Sequence, residues 1–368
     1  MSFHGFYRGK KVLVTGHTGF KGSWLTMWLH HLGADTHGLA LPPENDQWLF
    51  AQAGLDQRCR HRVGDVRDYA AVKACLEQVR PDVILHLAAQ PIVRASYVDP
   101  VGTAATNIMG SVHVMEAVRE LKLPCSVVMV TSDKCYENRE WPFAYRENDP
   151  MGGHDVYSMS KGAAELAVSS YRRSFFPPEG PVAMASARAG NVIGPGDWAQ
   201  DRIVADAMRT LLRDEALLVR NPRAIRPWQH VLEPLSGYLW LGARLREDAE
   251  AWLRDGWNFG PGLDAARTVG ELADAMVHTL GRGRWYTEQK GPQPHEAHFL
   301  RLSIEKAGNL LGWKPVWNFE TTVSRTVNGY ERLVAAGSSA EAARRFMEEE
   351  IAAYEYDARI CDNHWART

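Results

Sequence analysis

The sequence predicts an α/β fold, a Rossmann-type doubly wound parallel sheet with a smaller C-terminal α/β substrate-binding lobe. Three observations predict it. Short apolar runs alternate with stretches of helical periodicity through the first half of the chain, the order of successive βαβ units. A glycine-rich turn follows the first apolar run at once. The links between runs are short, as expected for crossovers that pack helices on both faces of one sheet.

In order, Lys11–Thr15 is a short apolar strand, and Gly16-His17-Thr18-Gly19-Phe20-Lys21-Gly22 is the turn. Trp24, Leu25, Trp28, Leu29 and Leu32 then recur at helical spacing, and Gly33 ends that helix. Strand, glycine turn and helix together bring backbone N–H groups to a pyrophosphate at a helix N-terminus. The second strand is Asp35–Leu41. Where an NAD-specific unit carries an acid, this chain has Ala40-Leu41-Pro42-Pro43, and Glu44 comes late. A third strand near Arg60–Val63 leads to Asp65, placed to accept from an adenine amino group, and to Asp68, read as the cap of the next helix. Pro81–Gln90 is the fourth strand with its exit, where the small Ala88 and Ala89 let a cofactor lie against the backbone. Asn107 opens a helix carrying Val112, Val114, Met115 and Val118, which leads to the strand Ser126–Val130. Ligands in such sheets bind beyond the carboxyl ends of the strands, so the glycine turn, Ala88-Ala89 and Thr131–Lys134 should meet in one crevice.

Composition excludes several function classes. The 368 residues are 45% hydrophobic and 23% charged with a net charge of −2, so nothing suggests a nucleic-acid partner. No run approaches the roughly 18 apolar residues of a membrane span, and Met1–Lys11 lacks the apolar core of a secretory leader. Five cysteines, an odd number without a CxxC pair, argue against a disulfide framework or structural zinc and fit a reducing, cytoplasmic setting. No metal is expected. Thirteen tryptophans are read as packing residues.

The chemistry gathers around Thr131-Ser132-Asp133-Lys134 and Tyr157-Ser158-Met159-Ser160-Lys161. Tyr157 and Lys161, four apart on a helix, share a face, and a nearby ammonium favours phenolate. Ser132, at a strand end, can orient the hydroxyl that such a tyrosine deprotonates. Further on come a strand at Val182–Ala189, a turn-rich Gly190–Asp197, a helix at Ile203–Leu212 and a short strand at Ala216–Val219. Arg223 and Arg226, beside Trp228, suggest a phosphate-bearing substrate, because Arg offers forked donors. Ala340–Tyr356 reads as an amphipathic terminal helix packed on the body.

With Gly16-x-x-Gly19-x-x-Gly22, Asp65, His86-Leu87-Ala88-Ala89, Asn107, Ser132 and Tyr157-x-x-x-Lys161 in this order, the chain resembles the extended short-chain dehydrogenase/reductases over nearly its whole length. More narrowly it resembles the CDP-glucose 4,6-dehydratases in Thr15–Trp24, Thr131–Tyr136, Gly190–Trp198 and Arg226–Pro234. Asp133-Lys134 is the sharpest mark, since an Asp-Glu pair is expected there in the TDP-glucose enzymes and neither acid–base pair in epimerases.

The resemblance implies NAD held by Gly16, His17, Thr18, Gly19, Phe20, Lys21, Gly22, Asp65, Val66, Leu87, Ala88, Ala89, Asn107, Thr131, Tyr157 and Lys161. It implies CDP-D-glucose met by Gln90, Ser132, Asn191, Arg202, Arg223, Arg226 and His230, and conversion to CDP-4-dehydro-6-deoxy-D-glucose. Ser132, Tyr157 and Lys161 would handle oxidation at C4, with Asp133 the acid and Lys134 the base of the elimination. Residues 1–188 would form the dinucleotide-binding domain, with segments near 230–260 returning to it, and 189–368 mainly the nucleotide-sugar lobe and C-terminal helix. A homodimer or higher homo-oligomer is expected through helices at Asn107–Leu121 and Tyr157–Phe175. Open alternatives are a 4-epimerase or decarboxylase, a dehydratase for another nucleotide-glucose, and a catalytically silent NAD-binding sensor.

Overall fold

A computed structural model describes residues 2–248, 250–262, 265–288 and 299–367. Its centre is a parallel sheet. Strands β1 (Lys11–Thr15), β2 (Asp35–Ala40), β3 (Arg60–Val63), β4 (Val83–His86), β5 (Ser126–Val130) and β6 (Ala183–Arg188) are joined by a seventh, Gly256–Asn258. From the last-named strand the order runs β6, β5, β4, β1, β2, β3, all parallel. The direction of winding reverses between β1 and β4, and this switch point opens a crevice at the carboxyl ends. β4 is buried at all four residues, as a strand covered on both faces must be.

Two apolar layers flank the sheet. On one side Val72, Leu76, Val114, Val118 and Val168, from the helices Tyr69–Val79, Gly110–Glu120 and Val156–Phe175, pack against Leu13, Ile84 and Val127. On the other, Trp24, Leu25 and Trp28 of the helix Phe20–His31 share a core with Leu235, Leu239 and Trp257. The terminal helix Ala340–Ile360 joins this second core. Trp28 Nε1 donates to Glu355 at 2.8 Å, and the Trp24 and Phe346 rings meet edge to face. A third core, with Val204, Met208, Leu217, Leu272 and Tyr330, lies beneath short strand pairs from residues 216–286.

Local signals explain most boundaries. Asp68 caps its helix as predicted, accepting from Ala70 and Ala71 N–H. Gly33 takes φ +77° just past the first helix. One boundary differs: Asn107 does not open a helix. Helical structure begins at Pro100 under an Asp99 cap, and Asn107 sits in a π-turn, Ala105–Met109. The π-turn turns its amide onto Gln90 and Ser160.

Glu233 ties three segments together without exposed surface. It accepts from the N–H groups of Val316 and Trp317 and from the Tyr354 hydroxyl. Burial nevertheless dominates these donors and pushes its carboxyl up to about 7. The folded state therefore holds this proton where the unfolded chain has released it, a stabilisation present below the ordinary carboxylate range and lost as pH rises toward 7. In Glu233→Gln that slope disappears. Between pH 4.5 and 7 the wild type should lose about 3 kcal/mol relative to the variant, at 1.36 kcal/mol per pKa unit, in denaturant unfolding measured across pH.

Candidate active site

The glycine turn is built for a close approach. Gly16 has φ +74°, and a Cβ there would stand 2.7 Å from Ala88 N; a Cβ on Gly22 would meet Gly16 O at 2.2 Å. Gly19 N–H donates to Gly16 O, and Ala88 N–H donates to the Thr15 hydroxyl at 3.2 Å. Turn and Ala88-Ala89 thus face each other across the switch point with no side chain between them. This cradle fits a pyrophosphate at the start of the helix Phe20–His31. Leu87 lies beside it, and its N–H donates to Thr15 O. The Thr18 hydroxyl instead closes the turn onto Leu41 O.

His17 is fully buried under Gly38 and hydrogen-bonds His61 at 2.6 Å; burial and then His61 lower it to about 3, so both imidazoles are neutral at pH 7. Asp65 is committed to Arg67, accepting from its backbone N–H and its guanidinium. Leu41, exposed where an acid would bind a ribose, leaves the end of β2 uncharged.

Around the Tyr157 ring the structure gathers most of the expected catalytic groups. Ser132, Asp133, Tyr157 and Lys161 are all buried. Ser132 donates to Asp133 at 2.9 Å, and its hydroxyl lies near enough to Tyr157 to act on the phenol's proton. Asn191, held at φ +52°, donates its amide to Asp133 at 3.2 Å. Arg202 pairs with Asp197 at 2.6 Å and lies within electrostatic reach of Tyr157. Lys134 is half-buried on the 3₁₀ turn Asp133–Cys135, its N–H on the Ser132 hydroxyl.

One expectation fails on magnitude. Lys161 Nζ lies 5.9 Å from the centre of the Tyr157 ring, yet burial raises Tyr157 to about 12 against the nearby Ser132 hydroxyl and the charge of Arg202. Burial also lowers Lys161 to about 8. Without a ligand the tyrosine is a phenol, because desolvation outweighs the neighbouring cations.

Several expected contacts are not brought to this crevice. His230 has no exposed surface and stands between Trp24 and Trp317, where burial lowers it to about 3. Arg223 is exposed on a turn, while Arg226 is buried with Nη1 on Ile225 O. Gln90 spends its side chain on Thr103 and Ile92. Val66 is core, packed on Gly110. Asn107 holds the Gln90 backbone and Ser160, and the Thr131 hydroxyl donates downward to Glu165.

Glu165 escaped the sequence analysis although it lies four residues beyond Lys161, on the same helix face. It accepts from Ser186 at 2.6 Å and from Arg188 at 2.8 Å; both ions are about 5% exposed. Burial pushes the Glu165 carboxyl up, but Arg188 and the two hydroxyls more than offset this and hold it below the usual range. Arg188 also donates to the Tyr136 hydroxyl and to Glu147 O. Among the described residues no group of acids, histidines and cysteines could hold a metal, and no helix is long and apolar enough to cross a membrane.

Residues 13–326 match a family model described as GDP-mannose 4,6 dehydratase. The chain is 46% identical over 330 residues, 89% of its length and 92% of the relative's, to a CDP-glucose 4,6-dehydratase of Salmonella typhimurium. It is 23% identical to dTDP-glucose 4,6-dehydratase 1 of Escherichia coli, over 87% of this chain and 92% of that one. Among solved structures it is similar to a dTDP-glucose 4,6-dehydratase of Streptomyces venezuelae with NAD bound, at TM-score 0.73 and 24% identity, covering 87% and 97%. A Thermus thermophilus UDP-glucose 4-epimerase complexed with NAD gives TM-score 0.72 at 23% identity, covering 87% and 99%. These two structures support the fold.

Glu165→Gln leaves the Arg188 charge buried without its counter-ion. It should lower unfolding stability by about 3–5 kcal/mol in denaturant titration, whereas mutating an exposed pair such as Arg332–Glu349 should cost at most about 1 kcal/mol.

Proposed function

The chain belongs to the nucleotide-sugar 4,6-dehydratase family, and on that premise we propose that it converts CDP-D-glucose to CDP-4-dehydro-6-deoxy-D-glucose and water, a step of deoxysugar biosynthesis. Identity of 46% to a CDP-glucose 4,6-dehydratase, over 89% of the chain, supports the substrate. The observation that carries the reaction type is the entry of Asp133 into the crevice of Ser132 and Tyr157, where it accepts from the Ser132 hydroxyl and acts electrostatically on Tyr157. A dehydrogenase or epimerase needs the tyrosine and serine; an acid beside them suits expulsion of a hydroxyl.

The backbone of Gly16–Gly22 and the flank Leu87-Ala88-Ala89 would hold NAD, with His17 and Asp65 toward its adenosine end and Lys161 toward its nicotinamide ribose. Held there, it would supply the hydride acceptor and donor for C4 and C6, and a positive charge that favours phenolate at Tyr157. Tyr157 takes the proton from the sugar O4 while Ser132 hydrogen-bonds that oxygen. The resulting C4 ketone acidifies the C5 proton by conjugation. Asp133 protonates the departing C6 hydroxyl, and Asn191 keeps its carboxyl turned into the crevice. A neutral amine then completes the acid–base pair; the sequence nominates Lys134. Arg202 is a permanent cation in the crevice of Tyr157, suited to an anionic group of the substrate.

The occupant of one exposed face is a second copy of the chain. Pro100, Val101, Ala104, Ile108, Met109, Val156 and Met159 line an apolar groove between helices. Val98, Val101 and Leu166 are 86, 78 and 62% exposed, more apolar surface than an isolated chain needs to show. Two such helix pairs related by a two-fold axis form a bundle. The five cysteines are free thiols, in keeping with work in the cytoplasm.

Incubated with NAD and CDP-glucose, the protein should yield a 4-keto sugar lighter by one water, with solvent deuterium at C5; an epimerase or a silent sensor gives neither. Tyr157→Phe should slow turnover by about 10²–10⁴-fold. Val101→Asp should shift the protein from dimer to monomer in gel filtration, and a wild-type monomer at micromolar concentration would refute the dimer.

A further inference from the structure

Gln229 belongs to the stretch Arg226–Pro234, and the reaction above gives it no task. It is buried, on the short strand Gln229–His230. Its side-chain amide donates to Gly190 O at 2.9 Å and to Phe259 O at 3.2 Å, and its backbone N–H donates to Asn191 O at 3.2 Å. Gln229 thus ties the exit of β6 to the exit of the seventh strand. Both amide hydrogens meet carbonyl oxygens, so only the NH2 end fits there. The Oε1 end is buried without a hydrogen-bond partner among the described residues. An apolar side chain of the same length would fill this place without stranding an acceptor. The hold on the two carbonyls is what offsets that cost.

Gly190 and Asn191 are the seat of the acid. The Gly190 backbone lies against the Asp133 carboxyl: a Cβ there would stand 2.0 Å from Cγ and 2.1 and 2.2 Å from the two oxygens. Asn191, in the left-handed region at φ +52°, donates its amide to Asp133 Oδ2 at 3.2 Å. Ser132 donates to the other oxygen at 2.9 Å. An acid must stand within hydrogen-bond reach of the oxygen it protonates, and Gly190 and Asn191 limit how far this carboxyl can swing.

We propose that Gln229 is a positioning residue for the dehydration: by holding Gly190 and Asn191 it sets the place of the Asp133 carboxyl. The proposal rests on the dehydratase reaction assigned above, with Asp133 as its acid. Oxidation at C4 relies on Ser132, Tyr157 and Lys161, carried by the end of β5 and the helix Val156–Phe175, whereas Gln229 holds the exits of β6 and the seventh strand. Loss of its amide therefore separates the two halves of the reaction.

The test compares wild-type, Gln229→Met and Gly190→Ala holoenzymes on CDP-glucose and on its 6-deoxy-6-fluoro analogue, whose fluoride departs without the proton a hydroxyl needs. Gln229→Met keeps length and bulk and removes both donors. Its water loss from CDP-glucose should fall by about 10²-fold, the cost of a catalytic group misplaced by about 1 Å. Reduction of bound NAD by CDP-glucose, read from the absorbance of reduced nicotinamide, should stay within a few-fold of wild type, and so should fluoride release from the analogue. Equal slowing of nicotinamide reduction and water loss, equal slowing on both substrates, or water loss at the wild-type rate overturns the proposal. Gly190→Ala displaces the carboxyl with the Gln229 amide still in place, and it should show the same split however well Gln229→Met folds; wild-type water loss by this variant removes the seat and the proposal with it. A wild-type enzyme that releases no water from CDP-glucose sinks the assigned reaction itself, a separate result.

Discussion

The Glu165–Arg188 ion pair is the constraint on which the catalytic end depends. Two ions removed from water cost several kcal/mol each, and only close pairing with further hydrogen bonds repays it. Here Thr131 and Ser186 satisfy the carboxylate, while Tyr136 and Glu147 O satisfy the guanidinium. These partners come from the ends of β5 and β6, the catalytic helix and the loop between them. Tyr136 passes the connection to Asn258 on the seventh strand. Ser132 and Asp133, which follow Thr131, and Lys161, one turn before Glu165, are therefore placed by a network that buries its own charges. Such a network fixes geometry more than it adds net stability.

Above this network the crevice concentrates cations. Lys21, Lys161 and Arg202 face two carboxylates, Asp133 and Asp197. Burial lowers both amines, Arg202 and Lys161 adding to the effect at Lys21, while the guanidinium keeps its charge. The same burial raises Tyr157, so its activation depends on charge brought by ligands.

Much of the fold was legible in the sequence because βαβ order and the glycine turn are local signals. Thr131, Asn107 and Gln90 mark the limit. Their types and positions suited ligand contacts, but each spends its polar group on a neighbour that only the folded chain supplies. His230 shows the same limit: its segment carries the resemblance, and the imidazole is packed among tryptophans. Glu165 could have been found from its spacing to Lys161. Its partner Arg188, a charge ending an apolar strand, signals burial only once the sheet order is known.

The contact between Trp28 and Glu355 joins residues 327 apart in sequence. During synthesis at about 5–20 residues per second, roughly 15–65 s separate the emergence of the two. For that interval the helix behind the cofactor cradle shows its tryptophans to the cell without its partner. The nascent chain therefore passes through a stage in which its most aromatic surface is open to chaperones or to other chains, and the cradle acquires its backing only as the last helix arrives.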